Sequence, residues 1–125
     1  MISEIAGSLI IQDGEILLLY REEQGHWDVP GGKVKKGESP TETAVREARE
    51  EIGAEVELEK PFYSGEFQRE DEIFLWHGYI ASTDEEPEIQ EDRFEKMIWA
   101  DPAQLDDMSL ASNLEMVLPA LRRIR

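Results

Sequence analysis

The chain contains no cysteine, which excludes disulfide scaffolds, thiolate catalysis and cysteine-ligated zinc together. It also lacks a long apolar run. The most apolar stretches, "GSLII" and "EILLLY", fall far short of a bilayer span, and the N-terminus has no basic segment of the signal-peptide kind. The expectation is a cytoplasmic protein with no membrane partner. Positive charge is scarce too: 13 Lys and Arg stand against 29 Asp and Glu, for a net charge of −16. That balance disfavours a general attraction to nucleic acid or anionic lipid. Any phosphate-bearing ligand must be met by local cations or metal ions. The surplus acid reads either as a highly soluble surface or as adaptation to a salty cytoplasm, where screening makes dense like charge tolerable.

What remains is enough to fold. With 125 residues, 40% of them hydrophobic, the chain has material for one core, so residues 1–125 are expected to form a single domain. Near the start, two apolar runs flank Gln12-Asp13-Gly14-Glu15, and Asp-Gly is a hairpin signal. "GHWDVPGGKVKKGES" is glycine-rich and reads as loop or very short strands. Ser39-Pro40-Thr41-Glu42 combines an N-cap serine, proline at the first helical position and glutamate three residues after the cap. Gly53 closes that helix. A strand is expected from Ala54, interrupted around Pro61, then a more buried one over "DEIFLWHGYIAS". The acidic stretch "TDEEPEIQEDRFEK" reads as a loop, "MIWA" as a short strand and "DPAQLDDM" as a turn. "SLASNLEMVLPALRRIR" reads as a closing helix disturbed by Pro119. Mixed strands with two helices point to an α+β or layered α/β/α fold.

On the helix, Ala44, Val45, Ala48 and Ile52 share the face that must pack on a sheet. Glu47, Glu50 and Glu51 share the flank beside it. Like charges at i, i+3 and i+4 destabilise a helix by roughly 0.2–0.5 kcal/mol per pair. Arg46 can relieve part of this through Glu42 and Glu50. A hard divalent cation can serve all three acids, because Mg²⁺ and Mn²⁺ favour oxygen ligands. The ordinary alternative is a solvated acidic face, in a chain with 21 Glu. The flanking loop favours the metal. Pro30-Gly31-Gly32-Lys33 offers a backbone that can approach a phosphate closely, with a lysine beside it.

These residues resemble the Nudix hydrolase box, G-x5-E-x7-R-E-U-x-E-E-x-G-U, where U is a bulky aliphatic residue. Gly32, Glu38, Arg46, Glu47, Glu50, Glu51 and Gly53 occupy every fixed polar or glycine position, while both U positions are alanine, Ala48 and Ala54. The resemblance implies a small MutT-type member with an α/β/α sandwich around a mixed sheet. It further implies hydrolysis of a diphosphate linkage in a nucleoside diphosphate joined to another group, with nucleoside triphosphates weakly favoured. By the same resemblance Glu47, Glu50 and Glu51 hold Mg²⁺ or Mn²⁺, with the carbonyl of Gly31 or Gly32 as a further ligand. Glu38 and Arg46 brace the loop against the helix.

The general base differs among members, so a box glutamate stands beside Glu91 and Asp92 of the acidic stretch. Arg21, at the end of "LLLYR", lies where similar enzymes place an arginine that meets substrate, and Lys33 and Gly32 are expected to face it as well. Trp27, Phe74 and Trp76 could stack on a base, although strand aromatics more often fill a core. His26 and His77 receive no role. The expected partner is a small nucleotide, with no nucleic acid; a homodimer is the oligomer left open. Two rival readings are a nucleotide-sensing module without turnover and an RNA-directed enzyme, the latter disfavoured by the net charge.

Overall fold

The turn at Asp13-Gly14 places both residues at positive φ, 52° and 79°, in the computed structural model, which describes residues 2–124. This mirror-image turn matches the right-handed twist of the strands it joins. They are β1, Ile2–Gln12, and β2, Glu15–Arg21. There follow β3 (His26–Asp28), β4 (Gly31–Lys33), helix α1 (Pro40–Ile52), β5 (Glu57–Arg69), β6 (Glu72–Ser82) and β7 (Phe94–Ala100). A 3₁₀ turn over Pro102–Asp107 and two short helices, α2 (Ser112–Met116) and α3 (Leu118–Leu121), complete the described chain.

Strand β1 organises a seven-stranded mixed sheet of order β3-β2-β1-β6-β5, with β4 also on β1 and β7 also on β2. It runs parallel to β6, from Ile2 opposite Ile73 to Ile10 opposite Ala81, and antiparallel to β2 and β4. Both faces of the central strands are covered, which is why "LII" and "ILLL" read as continuous apolar runs. Alternate residues go to opposite cores. Leu9, Ile16 and Leu18 join Trp76, Leu114, Val117 and Leu121 on the side of the C-terminal helices. Ile10, Leu17 and Leu19 join Ala48, Ile52 and Ala54 beneath α1. The result is the expected α/β sandwich, and the two alanines of the box are fully buried in it.

Helix α1 begins and ends where local chemistry dictates. Ser39 Oγ accepts from the Glu42 N–H at 3.2 Å, and the Glu42 carboxylate accepts from the Ser39 N–H at 2.9 Å, a complete capping box. Gly53 takes φ 63° and donates its N–H to the Arg49 carbonyl.

Four expectations need correction. Strand β5 starts at Glu57, three residues after Ala54, and runs through Pro61; as the sheet's edge it tolerates a residue without an N–H by shifting register between Pro61 and Tyr63. Strand β7 starts at Phe94, inside the stretch read as loop, because Phe94 pairs with Arg21 and fills the core beneath α1. "DPAQLDDM" is a 3₁₀ turn capped by Asp101, not a simple turn. The closing helix is two pieces that break at Val117, two residues before Pro119, whose ring and missing N–H forbid the continuous form. Its last expected residue, Arg125, lies outside the described residues, as does Met1.

Ser39→Ala should destabilise the protein by about 1 kcal/mol through loss of the N-cap. Urea denaturation monitored by circular dichroism checks it, with an unchanged m-value as the sign that only stability has moved.

Candidate active site

The site begins with two strands that touch. Gly7 and Gly31 are paired across β1 and β4, and a Cβ on Gly31 would lie 2.6 Å from the Ala6 carbonyl oxygen. A Cβ on Gly32 would lie 2.5 Å from the carboxyl carbon of Glu47. The glycine pair therefore serves two close approaches inside the protein: strand to strand at Gly31, strand to carboxylate at Gly32. Helix α1 packs on both β1 and β4, which sets its acidic flank against this backbone.

The three glutamates do not meet as equals. Glu51 has no exposed surface; its carboxylate accepts the Gly31 N–H at 3.0 Å and an Arg93 N–H at 2.6 Å. Burial, with the Glu47 carboxylate beside it, pushes the Glu51 carboxyl far above the ordinary carboxylate range, against the pull of Arg93 and the Gly31 N–H. Glu47 is buried at Gly32 and accepts from Arg46 Nη1 at 2.8 Å. Glu50 stays at the rim, bound to the same Nη1 at 3.2 Å. Hence, among the described residues, no three acidic or imidazole side chains converge in a ready-made cage.

The donor chemistry nevertheless suits a hard divalent cation. Two adjacent carboxylates, one wholly buried, resist joint ionisation unless positive charge joins them. Magnesium needs only one or two carboxylates, with water and phosphate filling its other positions.

Arg46 is the hub of the α1 flank. Its Nε and Nη2 grip both oxygens of Glu38, at 2.7 and 3.0 Å, and Nη2 also donates to the Lys33 carbonyl at 3.2 Å. Thr43 donates to Glu38 at 2.6 Å. Arg46 and then Thr43 hold the Glu38 carboxyl down at about 2. The expected Glu42–Arg46 pair is absent, because the Glu42 carboxylate is committed to the helix cap. Loop and helix are thus stapled by the box residues Glu38 and Arg46.

Glu47, Gly31, Gly32 and Lys33 form one wall of a cavity of about 380 Å³, a volume suited to a small ligand. Arg21 lines it as well, its Nε buried and without a partner, its guanidinium 5.3 Å from the Phe94 ring. Arg93 comes from the acidic loop, lies 4.7 Å from the same ring, and donates through Nε to Glu91 at 2.8 Å. One guanidinium therefore ties Glu91 to Glu51. Asp92 is exposed beside it, and neither Glu91 nor Asp92 lines the cavity.

Phe74 and Trp76 belong to the core, as strand aromatics usually do, and also line the cavity. Trp27 packs on the core and on Tyr20, 5.0 Å between ring centroids, outside the cavity lining. His26 also stands outside it, with burial lowering its pKa. His77 lies on the sheet surface between Ser64 and Glu4, at 3.1 and 2.8 Å.

Two lining residues carry no signal in the sequence. Asn113, at 2% exposure, reaches Asp28 through Nδ2 at 3.2 Å and leaves its Oδ1 buried without a partner. It is set there by pairing of Trp27 with Ser109 and Ala111, 2.8 and 2.9 Å. Arg69, at the end of β5, has Nε and Nη2 buried without partners. Asn113 depends on a contact with Asp28, 85 positions away, which no local pattern reports.

The chain was compared with known proteins once this geometry was in hand. Residues 3–121 match the family model described as NUDIX domain. A CTP pyrophosphohydrolase of Escherichia coli is 30% identical over 126 aligned residues, covering 98% of this chain and 93% of that protein. A putative 8-oxo-dGTP diphosphatase of Bacillus subtilis is 43% identical over 70 residues, 54% of this chain and 46% of that one. Among solved structures, a MutT NUDIX hydrolase from Burkholderia pseudomallei superposes with a TM-score of 0.86 at 28% identity, over 96% of this chain and 98% of that one. With the box residues stapling a carboxylate helix to a glycine strand, and with this match along nearly the whole chain, the protein belongs to the Nudix hydrolase family, as a small MutT-like pyrophosphohydrolase acting on phosphoric anhydrides.

Proposed function

We propose that the chain hydrolyses a diphosphate linkage in a nucleotide, nucleoside triphosphates being the favoured class, by attack of water at phosphorus, with residues 1–125 acting as one domain. One observation carries the reading. A single cavity joins the carboxylate wall of Glu47 and Gly32 to unpaired cationic donors at Arg21 and Arg69, in a protein whose net charge is −16. Four cations, Arg21, Lys33, Arg69 and Arg93, line it against three acids, Asp28, Glu47 and Glu72. Scarce positive charge has been concentrated where an anionic ligand would lie. That relatives are described as acting on CTP and on 8-oxo-dGTP supports a nucleotide.

Glu47, Glu50 and Glu51, with a carbonyl of Gly31 or Gly32, would hold Mg²⁺ or Mn²⁺, which when bound polarises phosphoryl oxygens and acidifies the attacking water. Lys33, beside Gly32 on the carboxylate wall, and Arg21, elsewhere in the lining, meet the phosphates. Of the candidates for the base, Glu91 is favoured over Asp92, since Arg93 ties it to Glu51 at the carboxylate wall. No helix among the described residues is long and apolar enough to cross a membrane; a cytoplasmic site of action is part of the proposal.

A panel of nucleoside triphosphates and diphosphate-linked nucleotides, scored for released phosphate or pyrophosphate, tests the reaction, and metal-dependent turnover separates an enzyme from a sensing module. Glu50→Gln and Glu51→Gln should each lower kcat by about 10²-fold or more while the protein stays folded. Near wild-type turnover in Mg²⁺ or Mn²⁺ would remove the metal assignment.

For the base, Glu91→Gln should lose the acidic limb of the pH–rate profile with metal affinity retained, and Asp92→Asn should keep it. Wild-type profiles in both would return the role to a box carboxylate.

Arg46→Ala should lower Tm by at least about 4 °C together with activity, since one guanidinium braces loop and helix. The Glu38 pKa is depressed from 4.5 to about 2, so the stability linked to it is present above pH 4.5 and lost as pH falls through 2. The Tm gap between wild type and Arg46→Ala should accordingly narrow only below pH 4.5, which melting curves from pH 7 to 3 will read.

A further inference from the structure

Glu51 holds the acidic loop at two points of opposite character. Its backbone carbonyl accepts the Gln90 N–H at 2.9 Å, and the Ile52 carbonyl beside it accepts the Glu88 N–H at the same distance. These bonds satisfy the last carbonyls of α1 and fasten the loop to the helix end. The Glu51 carboxylate then takes the Arg93 guanidinium. The first attachment is backbone on backbone. The second is a single side chain, 47% exposed, on a carboxylate with no exposed surface.

The oxygens of the carboxylate wall divide in the same way. Glu51 Oε1 accepts from the Gly31 N–H and Glu47 Oε1 from Arg46 Nη1, partners fixed by strand β4 and by the grip of Arg46 on Glu38. The other oxygen of each, Oε2, faces one atom, Arg93 Nη2, at 2.6 Å from Glu51 and 4.0 Å from Glu47. A surface loop thus supplies the shared positive charge that two adjacent carboxylates require. A divalent cation held by Glu47 and Glu51 calls on the same oxygens. Two cations pressed against one sealed carboxylate repel each other strongly, since little water screens them.

We infer that Arg93 is the exchangeable partner of the metal site: its guanidinium releases Glu51 when a divalent cation binds there and returns when the cation leaves. The inference rests on the metal reading above and adds the regulation of that site. The Gly31 and Arg46 donors stay, because they hold the oxygens that Arg93 does not touch. Arg93 leaves at small cost, since it is half in solvent and keeps the Phe94 ring at 4.7 Å and Glu91 at 2.8 Å. The bond from Gln90 to the Glu51 carbonyl remains as the fixed point, so residues 91–93 move about it and Glu91 moves with them. The released guanidinium has before it the cavity that it already lines. Competition of this kind weakens the apparent affinity for the cation by the fraction of molecules in which Arg93 has let go.

The test uses the full chain and the metal alone, with no nucleotide. Electron paramagnetic resonance of free Mn²⁺ gives the affinity, and Arg93→Gln should bind Mn²⁺ roughly tenfold more tightly than wild type. Arg93→Lys, which keeps a cation on the loop, should bind less tightly than Arg93→Gln. Saturating Mn²⁺ should also raise the Tm of Arg93→Gln by more than that of wild type. On the wild-type protein, ¹H–¹⁵N NMR follows the Arg93 guanidinium during a Mg²⁺ titration. Its Nη2 protons, held on Glu51, should exchange faster with solvent as the site fills, while the Arg122 Nε signal, bound to Asp106 far along the chain, serves as the reference. An Nη2 signal unchanged at saturation would make arginine and cation joint partners and overturn the inference, as would Mn²⁺ binding to Arg93→Gln that is equal to wild type or weaker. The NMR result needs no variant, so poor folding of Arg93→Gln leaves it decisive. If neither wild type nor Arg93→Gln binds Mn²⁺ or Mg²⁺, the metal reading fails first and takes this one with it.

Discussion

A carboxylate sealed from water, that of Glu51, has to find hydrogen bonds and counter-charge within the protein, and much of the site follows from how it does so. The Gly31 N–H meets it from β4 and the Arg93 guanidinium from the acidic loop. Leaving either side open would strand a buried polar group without a partner, at a cost of about 1–3 kcal/mol. Strand β4 must therefore lie against α1, which is possible only because residues 31 and 32 have no Cβ to intervene. The loop that bears Glu91 must likewise fold inward rather than drift into solvent. Glycine content, helix position and loop path are one arrangement seen from three elements.

The second organising feature is the economy of positive charge. In a chain this acidic, most carboxylates can remain solvated, but those on the α1 flank cannot, since they are pressed together by helix geometry. Arg46 answers for Glu38, Glu47 and Glu50 at once, and Arg93 for Glu51 and Glu91. Arg21 and Arg69 are left with buried, unpaired donors in the cavity. At this site two arginines hold the protein's own acids and two others keep unpaired donors, which partitions the local cations between structure and ligand.

Features that depend on neighbouring residues were legible. The capping box at Ser39 and Glu42, the stop at Gly53 and the Asp13-Gly14 turn each rest on hydrogen bonds or φ values spanning at most a few positions, so the residue types announce them. The box residues belong here as well, because a helix converts their spacing directly into a shared flank. Where a local rule met a competing local rule it failed: i, i+4 spacing offered Arg46 the Glu42 carboxylate, but the cap had already taken it. Strand limits were less legible, since Pro61 reads as an interruption until the strand is known to be an edge.

By itself, then, the sequence determined the helix with its ends and its acidic flank, the turn between the first two strands, and the family to which the chain belongs. Each of these is set by periodicity or by contacts within one turn. Only the tertiary structure decided that Glu51 is buried while Glu50 stays at the rim, that Glu91 and not Asp92 is tied to the carboxylates, and that Asn113 and Arg69 share a cavity with Glu47. Those outcomes depend on which strand edge, loop and helix end come together across the sheet. The physical reason is that burial and pairing of a polar side chain are properties of the space around it, and that space is built from residues far away in the chain.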